Sequence, residues 1–372
     1  MPLKILIIPD KFKGTLPAEA AARAIARGWR KGRPEDALEL LPMTDGGDGF
    51  GEVISRLLHA KVRRLKTVDA AHRPCTARWW WEPEKKTAII ESATTIGLAM
   101  LPPGRFHPFE LDTFGLGAVL RTAASKGAKR CLVGIGGSAT NDAGFGLARS
   151  LGWEFLDRDG SLIEQWTGLD RLAKIRVPSS HRFSSQLLVA VDVQNPLLGP
   201  RGATRVYGPQ KGMRSQDFTR AEGCLHRLAL VVKKEFGRDM ARVPGAGAAG
   251  GLGFGLLAFL GAELKPGFDL FARQARLGEH LRLADLVIVG EGAIDGSTFM
   301  GKGVGQIAAR CREQGIPCVA LAGVLRASAR KRKLFTRTHA LTDLTSVKQA
   351  KADPAYWLEQ LASRVAGTWP VG

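Results

Sequence analysis

Four short apolar runs in this chain each end at an acidic residue. Ile5-Leu6-Ile7-Ile8 leads into Pro9-Asp10, Ala88-Ile89-Ile90 into Glu91, Leu187-Leu188-Val189-Ala190-Val191 into Asp192, and Leu286-Val287-Ile288-Val289 into Gly290-Glu291. A continuous apolar run of this length between polar segments predicts a strand buried on both faces. Open α/β sheets bind ligands outside the carboxyl ends of such strands. Carboxylates collected there suit metal-phosphate chemistry. A single Asp or Glu after a strand is ordinarily a turn former or a helix cap; four of them, with glycine-rich loops nearby, point to a site.

The remaining pattern fills in an α/β chain. A strand over 3–9 and a loop over 10–14 precede a helix that starts near Thr15, with Pro17 in its first turn. Ala18, Ala22, Ile25 and Trp29 share one face of that helix. A second loop, 44–49, precedes a helix over 50–59. Residues 62–92 alternate polar and apolar positions and predict an antiparallel or mixed sheet, with a change of domain near residue 70. Trp79, Trp80 and Trp81 in that stretch read as core or edge packing rather than a ligand platform. A helix over 112–126 leads to a strand over 130–135, a glycine-rich loop over 136–144 and a helix to Leu151. Residues 153–185 read as irregular. A turn at 195–200 and a loop at 207–212 precede a helix over 216–236. Six glycines among residues 245–255, followed by an apolar stretch over 256–260, predict tightly packed backbone at a helix start. Residues 285–323 read as strand, loop, helix over 304–314 and strand. A last helix starts at Asp353-Pro354, Asp as cap and Pro at the first helical position.

Composition narrows the class. A chain of 372 residues exceeds one ordinary core, so two domains are expected. Glycine is in excess, 45 of 372 residues, or about 12% against roughly 7% on average. Because the excess is clustered, it reads as functional backbone rather than linker. The net charge of +19 favours anionic ligands. Nucleic acid is not the expected partner: no RRM, zinc-finger or helix-turn-helix signature is visible, and the aromatics do not interleave with the basic residues. The densest basic patch, Arg326, Arg330, Lys331, Arg332, Lys333 and Arg337, reads as a solvated helix face. The five cysteines are odd in number and form no C-x-x-C, so neither a disulfide framework nor a zinc site is indicated. No apolar run approaches the roughly 18 residues of a membrane span, and the N-terminal run is too short for a signal peptide. A cytoplasmic protein with no membrane partner is expected.

Four loops carry candidate chemistry. Backbone N–H groups of 136–144 could hold an anion at a helix N-terminus. The loop matches neither G-x-x-x-x-G-K-[ST] nor G-x-G-x-x-G, and close packing is the competing explanation. In 290–296, Glu291 and Asp295 lie within one glycine-rich turn after a strand, and Lys302 follows just before a helix. The carboxylates would hold Mg²⁺ directly or through water, and the lysine would meet phosphate; the alternative is a capped turn with a solvated lysine. Lys13 and Lys211 each precede a glycine in a loop, placed to neutralise phosphate or simply exposed. None of the seven histidines pairs at metal-ligand spacing, and no Ser-His-Asp arrangement can be argued.

Seven segments occur in a telling order: Asp10-x-Phe12-Lys13-Gly14, Met43-x-Asp45-Gly46-Gly47-Asp48-Gly49, Gly134-Ile135-Gly136-Gly137-Ser138-Ala139-Thr140-Asn141-Asp142, Asp192-Val193-x-Asn195-Pro196-Leu197, Gly208-Pro209-Gln210-Lys211-Gly212, Pro244-Gly245-Ala246-Gly247-Ala248-Ala249-Gly250-Gly251, and Gly290-Glu291-Gly292-x-Ile294-Asp295-Gly296. The series, which spans nearly the whole chain, resembles the bacterial glycerate kinase family of the first type. The resemblance implies phosphorylation of D-glycerate by ATP with Mg²⁺, at the 2-hydroxyl in preference to the 3-hydroxyl. It implies two α/β domains: a flavodoxin- or Rossmann-like parallel-sheet domain from both chain ends, 1–70 with 282–372, and an inserted mixed α/β domain, 71–281. In that frame Asp192 orients or deprotonates the hydroxyl, and Glu291 and Asp295 serve the metal-ATP side. Lys13, Lys211 and Lys302 neutralise phosphate or the substrate carboxylate. Gly136, Gly137, Ser138 and Asn141 form an anion loop, and Asp10 and Asp45 order the first domain's contribution to the site. The partner is a small hydroxy acid, and a homo-oligomer is compatible with this reading.

The chain departs from the family pattern at four places. Ala293 stands where the family usually has Arg, Met300 where it usually has His, Lys302-Gly303-Val304 where Lys-x-Pro is usual, and Phe114-Gly115-Leu116 where Tyr-Gly-Thr is usual. These leave room for a related hydroxy acid, a 3-phosphoglycerate product, or a non-catalytic binding relative.

Overall fold

The computed structural model describes residues 1–179, 185–299, 303–328 and 333–370. The chain forms two compact units, Met1–Asp45 with Phe268–Gly372, and Gly46–Gly267. The first unit begins with β1 (Lys4–Pro9), α1 (Ala18–Gly32) and β2 (Ala37–Leu40). The second contains α2 (Phe50–Leu57), β3 (Lys61–Val68), β4 (Pro74–Glu82), β5 (Thr87–Glu91), α3 (Ala93–Ile96), α4 (Phe114–Ser125), β6 (Arg130–Gly134) and α5 (Phe145–Ser150). It continues with β7 (Glu154–Leu156), β8 (Lys174–Arg176), β9 (Gln186–Val191), α6 (Ala203–Tyr207), α7 (Phe218–Phe236), α8 (Ala248–Leu260) and β10 (Glu263–Pro266). The first unit resumes with α9 (Gly267–Gln274), α10 (Leu277–Leu283), β11 (Leu286–Ile294), α11 (Gly303–Glu313), β12 (Cys318–Leu325), β13 (Arg337–Ala340), α12 (Val347–Ala352) and α13 (Pro354–Gly367).

The first unit is built on a five-stranded sheet in the order β13-β12-β11-β1-β2, with every pairing parallel. Ile5 pairs with Leu286 and Ile8 with Val289, so two of the apolar runs lie side by side at the sheet's centre. Ile5, Ile7, Leu286 and Ile288 pack with Ile25 and Trp29 of α1 and Leu358 and Leu361 of α13. Leu6, Ile8, Val287 and Val289 alternate with them and are buried as well. Both faces of these strands are covered, which is why the runs have no polar side. From β1 the chain winds through α1 to β2; from β11 it winds the opposite way through α11 to β12. Counted within the unit, the order is the 2-1-3-4-5 of flavodoxin-like folds, with the switch point between β1 and β11. The parallel-sheet domain expected from both chain ends is therefore present.

The second unit carries a six-stranded mixed sheet, β10-β9-β6-β5-β4-β3. The pairings from β10 to β5 are parallel, whereas β5–β4 and β4–β3 are antiparallel. Trp79 and Trp81 enter the unit's main core. Trp80 is buried too, and its ring lies so close to Gly51 of α2 that a Cβ there would collide with it. The tryptophans are packing residues, as their alternation on a strand requires.

Several boundaries differ from the sequence reading. The cut expected near residue 70 falls inside the second unit, because β3 pairs with β4 along its whole length and α2 packs on the same sheet. Residues 268–281, expected in the inserted domain, belong to the first unit as α9 and most of α10. The segment 290–294 is not a turn: β11 continues to Ile294, with Glu291 paired to Ala322 and Ile294 to Leu325. The irregular stretch contains a short antiparallel pair, β7 and β8, and between them a 3₁₀ segment, Trp166–Arg171, that buries Trp166 and Leu169. Of the expected basic helix face, residues 330–332 lie outside the described residues. Among the described residues no helix is long and apolar enough to cross a membrane.

Candidate functional site

At the switch point of the first unit, β1 delivers Asp10 and β11 delivers Glu291. The Asp10 N–H donates to the Gly290 carbonyl at 2.8 Å, and the Met43 N–H donates to the Pro9 carbonyl at 2.9 Å. These two bonds bring the chain ahead of Asp45 to the same strand ends. Lys11 Nζ lies 3.2 Å from Asp45 Oδ1, and Asp10 Oδ1 accepts from the Lys11 N–H at 2.7 Å. Burial pushes the Asp10 carboxyl up to about 7, reinforced by the charges of Asp45 and Glu291 and opposed by Lys11. Three carboxylates and one ammonium therefore share this end of the sheet.

Glu291 is buried and accepts from Thr298 Oγ1 at 2.7 Å. Asp295 Oδ1 accepts from the Ser297 N–H at 2.7 Å and from Ser297 Oγ at 2.6 Å. The Asp295 N–H in turn donates to Thr298 Oγ1 at 3.2 Å. Thr298 thus links the two acids, which stand on a strand and in the turn after it rather than in one turn. Among the described residues no three His, Cys, Asp or Glu side chains converge as a metal cage. Mg²⁺ needs none, being held by one or two carboxylates plus substrate phosphates; the crowded carboxylates fit such a cation chemically. Lys13 is exposed, and it is Lys11, two residues earlier, that meets Asp45. Lys302 and Met300 lie outside the described residues.

In the second unit, the loop after β6 lies against residues 46–48. The Gly136 N–H approaches the Gly46 carbonyl at 3.4 Å, and a Cβ at Gly136 would press on Gly47. Gly137, with φ of 73°, abuts the Asp48 carboxylate. Close packing thus accounts for both glycines. Further on, the loop holds a buried cation. Lys211 Nζ donates to the Thr140 carbonyl at 2.6 Å and to Ser138 Oγ at 3.3 Å. Ser138 Oγ itself donates to the Ala249 carbonyl at 3.0 Å. Burial pulls the Lys211 ammonium down to about 7, and the charge of Asp142 works the other way. Asn141 Nδ2 donates to Thr204 Oγ1 at 3.0 Å, while Asn141 Oδ1 and Thr140 Oγ1 are buried with no protein partner among the described residues. Gly136, Gly137, Ser138, Asn141 and Lys211 are accordingly brought together within this unit.

Asp142 was given no role from the sequence alone, yet it organises the loop. Fully buried, it accepts from Thr113 Oγ1 at 2.7 Å, the Thr113 N–H at 3.0 Å and the Gly146 N–H at 2.9 Å in the first turn of α5. Burial first, then the charge of Asp112, pushes its carboxyl up to about 6. Its position two residues ahead of Gly144, the residue before α5, was the available signal.

Asp192 follows β9 and is exposed. Gly46 packs on Ala190 at the same strand end. Glu91, by contrast, follows the ordinary reading. Its carboxylate accepts from the N–H groups of Gly49 and Gly51, both at 2.9 Å, and so caps α2. Leu116, one of the departures from the family pattern, is fully buried in the core beneath α4. Ala293 lies on β11 beside Val324.

Comparison with known proteins agrees with this architecture. The model of the glycerate kinase family matches residues 5–370. A glycerate kinase of Halalkalibacterium halodurans is 39% identical over 324 residues, covering 86% of this chain and 85% of the relative. A glycerate 2-kinase of Escherichia coli K12 is 37% identical over 329 residues, covering 87% of this chain and 86% of that one. The solved structure of a Salmonella typhimurium LT2 protein named as a glycerate kinase 2 matches with a TM-score of 0.84 at 31% identity, over 99% of this chain and 98% of the other. With a family model spanning nearly its whole length and relatives this similar over most of theirs, the chain belongs to the glycerate kinase family and is a kinase.

Proposed function

We propose that this kinase is a cytoplasmic enzyme that transfers the γ-phosphoryl group of Mg²⁺-ATP to the 2-hydroxyl of D-glycerate, giving 2-phosphoglycerate and ADP. The observation that carries the reading is the group of Asp10, Asp45 and Glu291 at a topological switch point, a concentration of negative charge suited to a magnesium nucleotide. The regiochemistry follows the Escherichia coli relative named a glycerate 2-kinase.

Glu291 and Asp295 would hold the metal, with Asp10 and Asp45 completing the acidic surround. When bound, Mg²⁺ would lower the charge on the phosphate oxygens during transfer. Thr298 keeps Glu291 in place and, through the turn, Asp295. Lys11, Lys13 and Lys302 offer cations for the phosphates. Lys211, on the 138–140 backbone, offers a buried cation for an anionic group of nucleotide or acid. Asp192 would orient the acceptor hydroxyl and take its proton as the oxygen attacks. A second reading, a related small hydroxy acid as acceptor, rests on Ala293, which removes the family's arginine from the strand carrying Glu291.

³¹P NMR of ATP, Mg²⁺ and a panel of hydroxy acids tests the proposal. The expected result is ADP and 2-phosphoglycerate only when both Mg²⁺ and D-glycerate are present. No turnover above an ATP-only control, in folded protein, overturns it. A 3-phosphoglycerate product overturns the regiochemistry alone, and turnover of a different hydroxy acid in place of glycerate favours the second reading.

A further inference from the structure

The loop after β6 buries an acid beside the seat of a buried base. Lys211 Nζ rests on Thr140 and Ser138, and Asp142 stands two residues beyond Thr140 in the same loop. An ammonium carries three donors, and the two acceptors that seat this one are neutral. A buried ammonium on neutral acceptors keeps its proton only with negative charge near it.

We propose that Asp142 is a positioning residue for Lys211: it anchors the 138–142 backbone that seats the ammonium, and its charge keeps that ammonium protonated for an anionic group of the substrate. Only the identity of that anion rests on the kinase reading.

The anchoring is explicit. Asp142 ties the loop to Thr113, ahead of α4, and to Gly146, in α5. Thr113 Oγ1 is itself fixed, since it accepts from the Leu147 N–H at 2.9 Å. These donors let a fully buried carboxylate stay ionised. The charged groups in play are few. The charge of Asp142 acts on Lys211 through space and raises its value. Asp112 faces Asp142 and opposes its ionisation. Asp112 in turn holds His72 Nε2 at 3.0 Å, and His72 feels Arg149 and Asp69. Burial raises the Asp142 value and lowers that of Lys211, while the charge of Asp142 raises that of Lys211. The ammonium loses its proton as pH rises through its own value, so the alkaline limb of substrate binding follows Lys211.

The test reads Lys211 directly, by ¹³C NMR of the lysine Cε against pH in full-length protein, with Lys211→Met to assign the signal. Wild-type Lys211 is expected to titrate near neutrality. Asp142→Asn, which keeps the shape and part of the hydrogen bonding, is expected to lower the midpoint by about one pH unit or more, a tenfold change in the protonated fraction. The alkaline limb of kcat/KM should move down by the same amount. Asp112→Asn removes the charge that opposes Asp142, and neither the midpoint nor the limb should fall. An unmoved midpoint in Asp142→Asn overturns the proposal, as does an equal downward shift in Asp112→Asn. Should Asp142→Asn not fold, a wild-type midpoint at the ordinary lysine value of about 10.4 overturns it alone. The titration needs no turnover: a shifted midpoint in an inactive protein would sink the glycerate reading and leave Asp142 as the counter-ion.

Discussion

Lys11 touches two carboxylates at once: its ammonium lies 3.2 Å from Asp45 Oδ1, and its backbone N–H donates to Asp10 Oδ1 at 2.7 Å. Its charge lowers the Asp10 value that burial and Asp45 raise to about 7. Removing that charge with Lys11→Met should raise the Asp10 value further. A carboxyl must be ionised to attract a cation, so the acid limb of kcat/KM should move to higher pH. We expect a loss of about tenfold near pH 6 and less near pH 8.5, for a shift of about one unit. An acid limb identical to wild type would reduce Lys11 to a partner of Asp45 with no part in the site.

Asp192 supplies a sharper test of chemistry. It is exposed at the end of β9, so its removal leaves the core untouched. Asp192→Asn keeps the size and cannot take a proton. As a general base its loss should lower kcat by about 10²–10⁴-fold, with ATP affinity and melting temperature near wild type. Normal turnover with a lowered melting temperature would instead make it a turn former ahead of Asn195-Pro196.

The glycine-rich start of α8 should be intolerant of a methyl group at one place in particular. Gly250 has φ of 70°, and a Cβ there would collide with the Thr140 carbonyl that accepts from Lys211. Gly250→Ala should cost about 3 kcal/mol or more, combining left-handed strain with overpacking. Gly49→Ala makes the comparison: φ is 89° but the space is open, so about 1–2 kcal/mol is expected. Urea unfolding of the two variants decides, and equal costs would show that the Thr140 contact is not tight.

Stability in acid should depend on Asp36. Burial works against its charge, but the Arg33 pair at 2.6 Å, the Leu3 N–H at 2.9 Å and the Trp29 Nε1–H at 2.8 Å prevail and lower its value. A carboxyl lowered in the folded state stabilises fully above its unfolded value of about 3.9, and that stability is lost as pH falls through the folded value. Asp36→Asn leaves Arg33 without its partner and should cost about 3 kcal/mol at pH 7, with the difference shrinking toward pH 3. A constant difference across that range, in urea titrations, would separate the cost from the charge.

The unbroken runs at 5–8 and 286–289 are legible in the chain because a strand covered by helices on both faces has no polar side to interrupt it. Trp79 to Trp81 are legible as packing for the same kind of reason, since alternation on a strand sends them to two buried faces. The glycine loops and their order carry the family. Strands β2, β7, β8, β10 and β13, of three or four residues each, are too short to display a period, and β11 beyond Val289 is masked by its own glycines. Which carboxylates meet is a tertiary matter. Asp10 and Glu291 stand 281 positions apart and converge only because Ile5 pairs with Leu286 and Pro9 with Gly290. The path of the loop after β1 puts Lys11 rather than Lys13 beside Asp45. The exposure of Lys211 was open in the sequence, because a lysine before a glycine carries no sign of what will cover it. Asp142, present in one of the family segments, received no role because its partners, at Thr113 and Gly146, are assembled only when α4 and α5 pack together. Local pattern sets what each segment becomes; long-range pairing and burial set which charges meet, and with them the values at which they titrate.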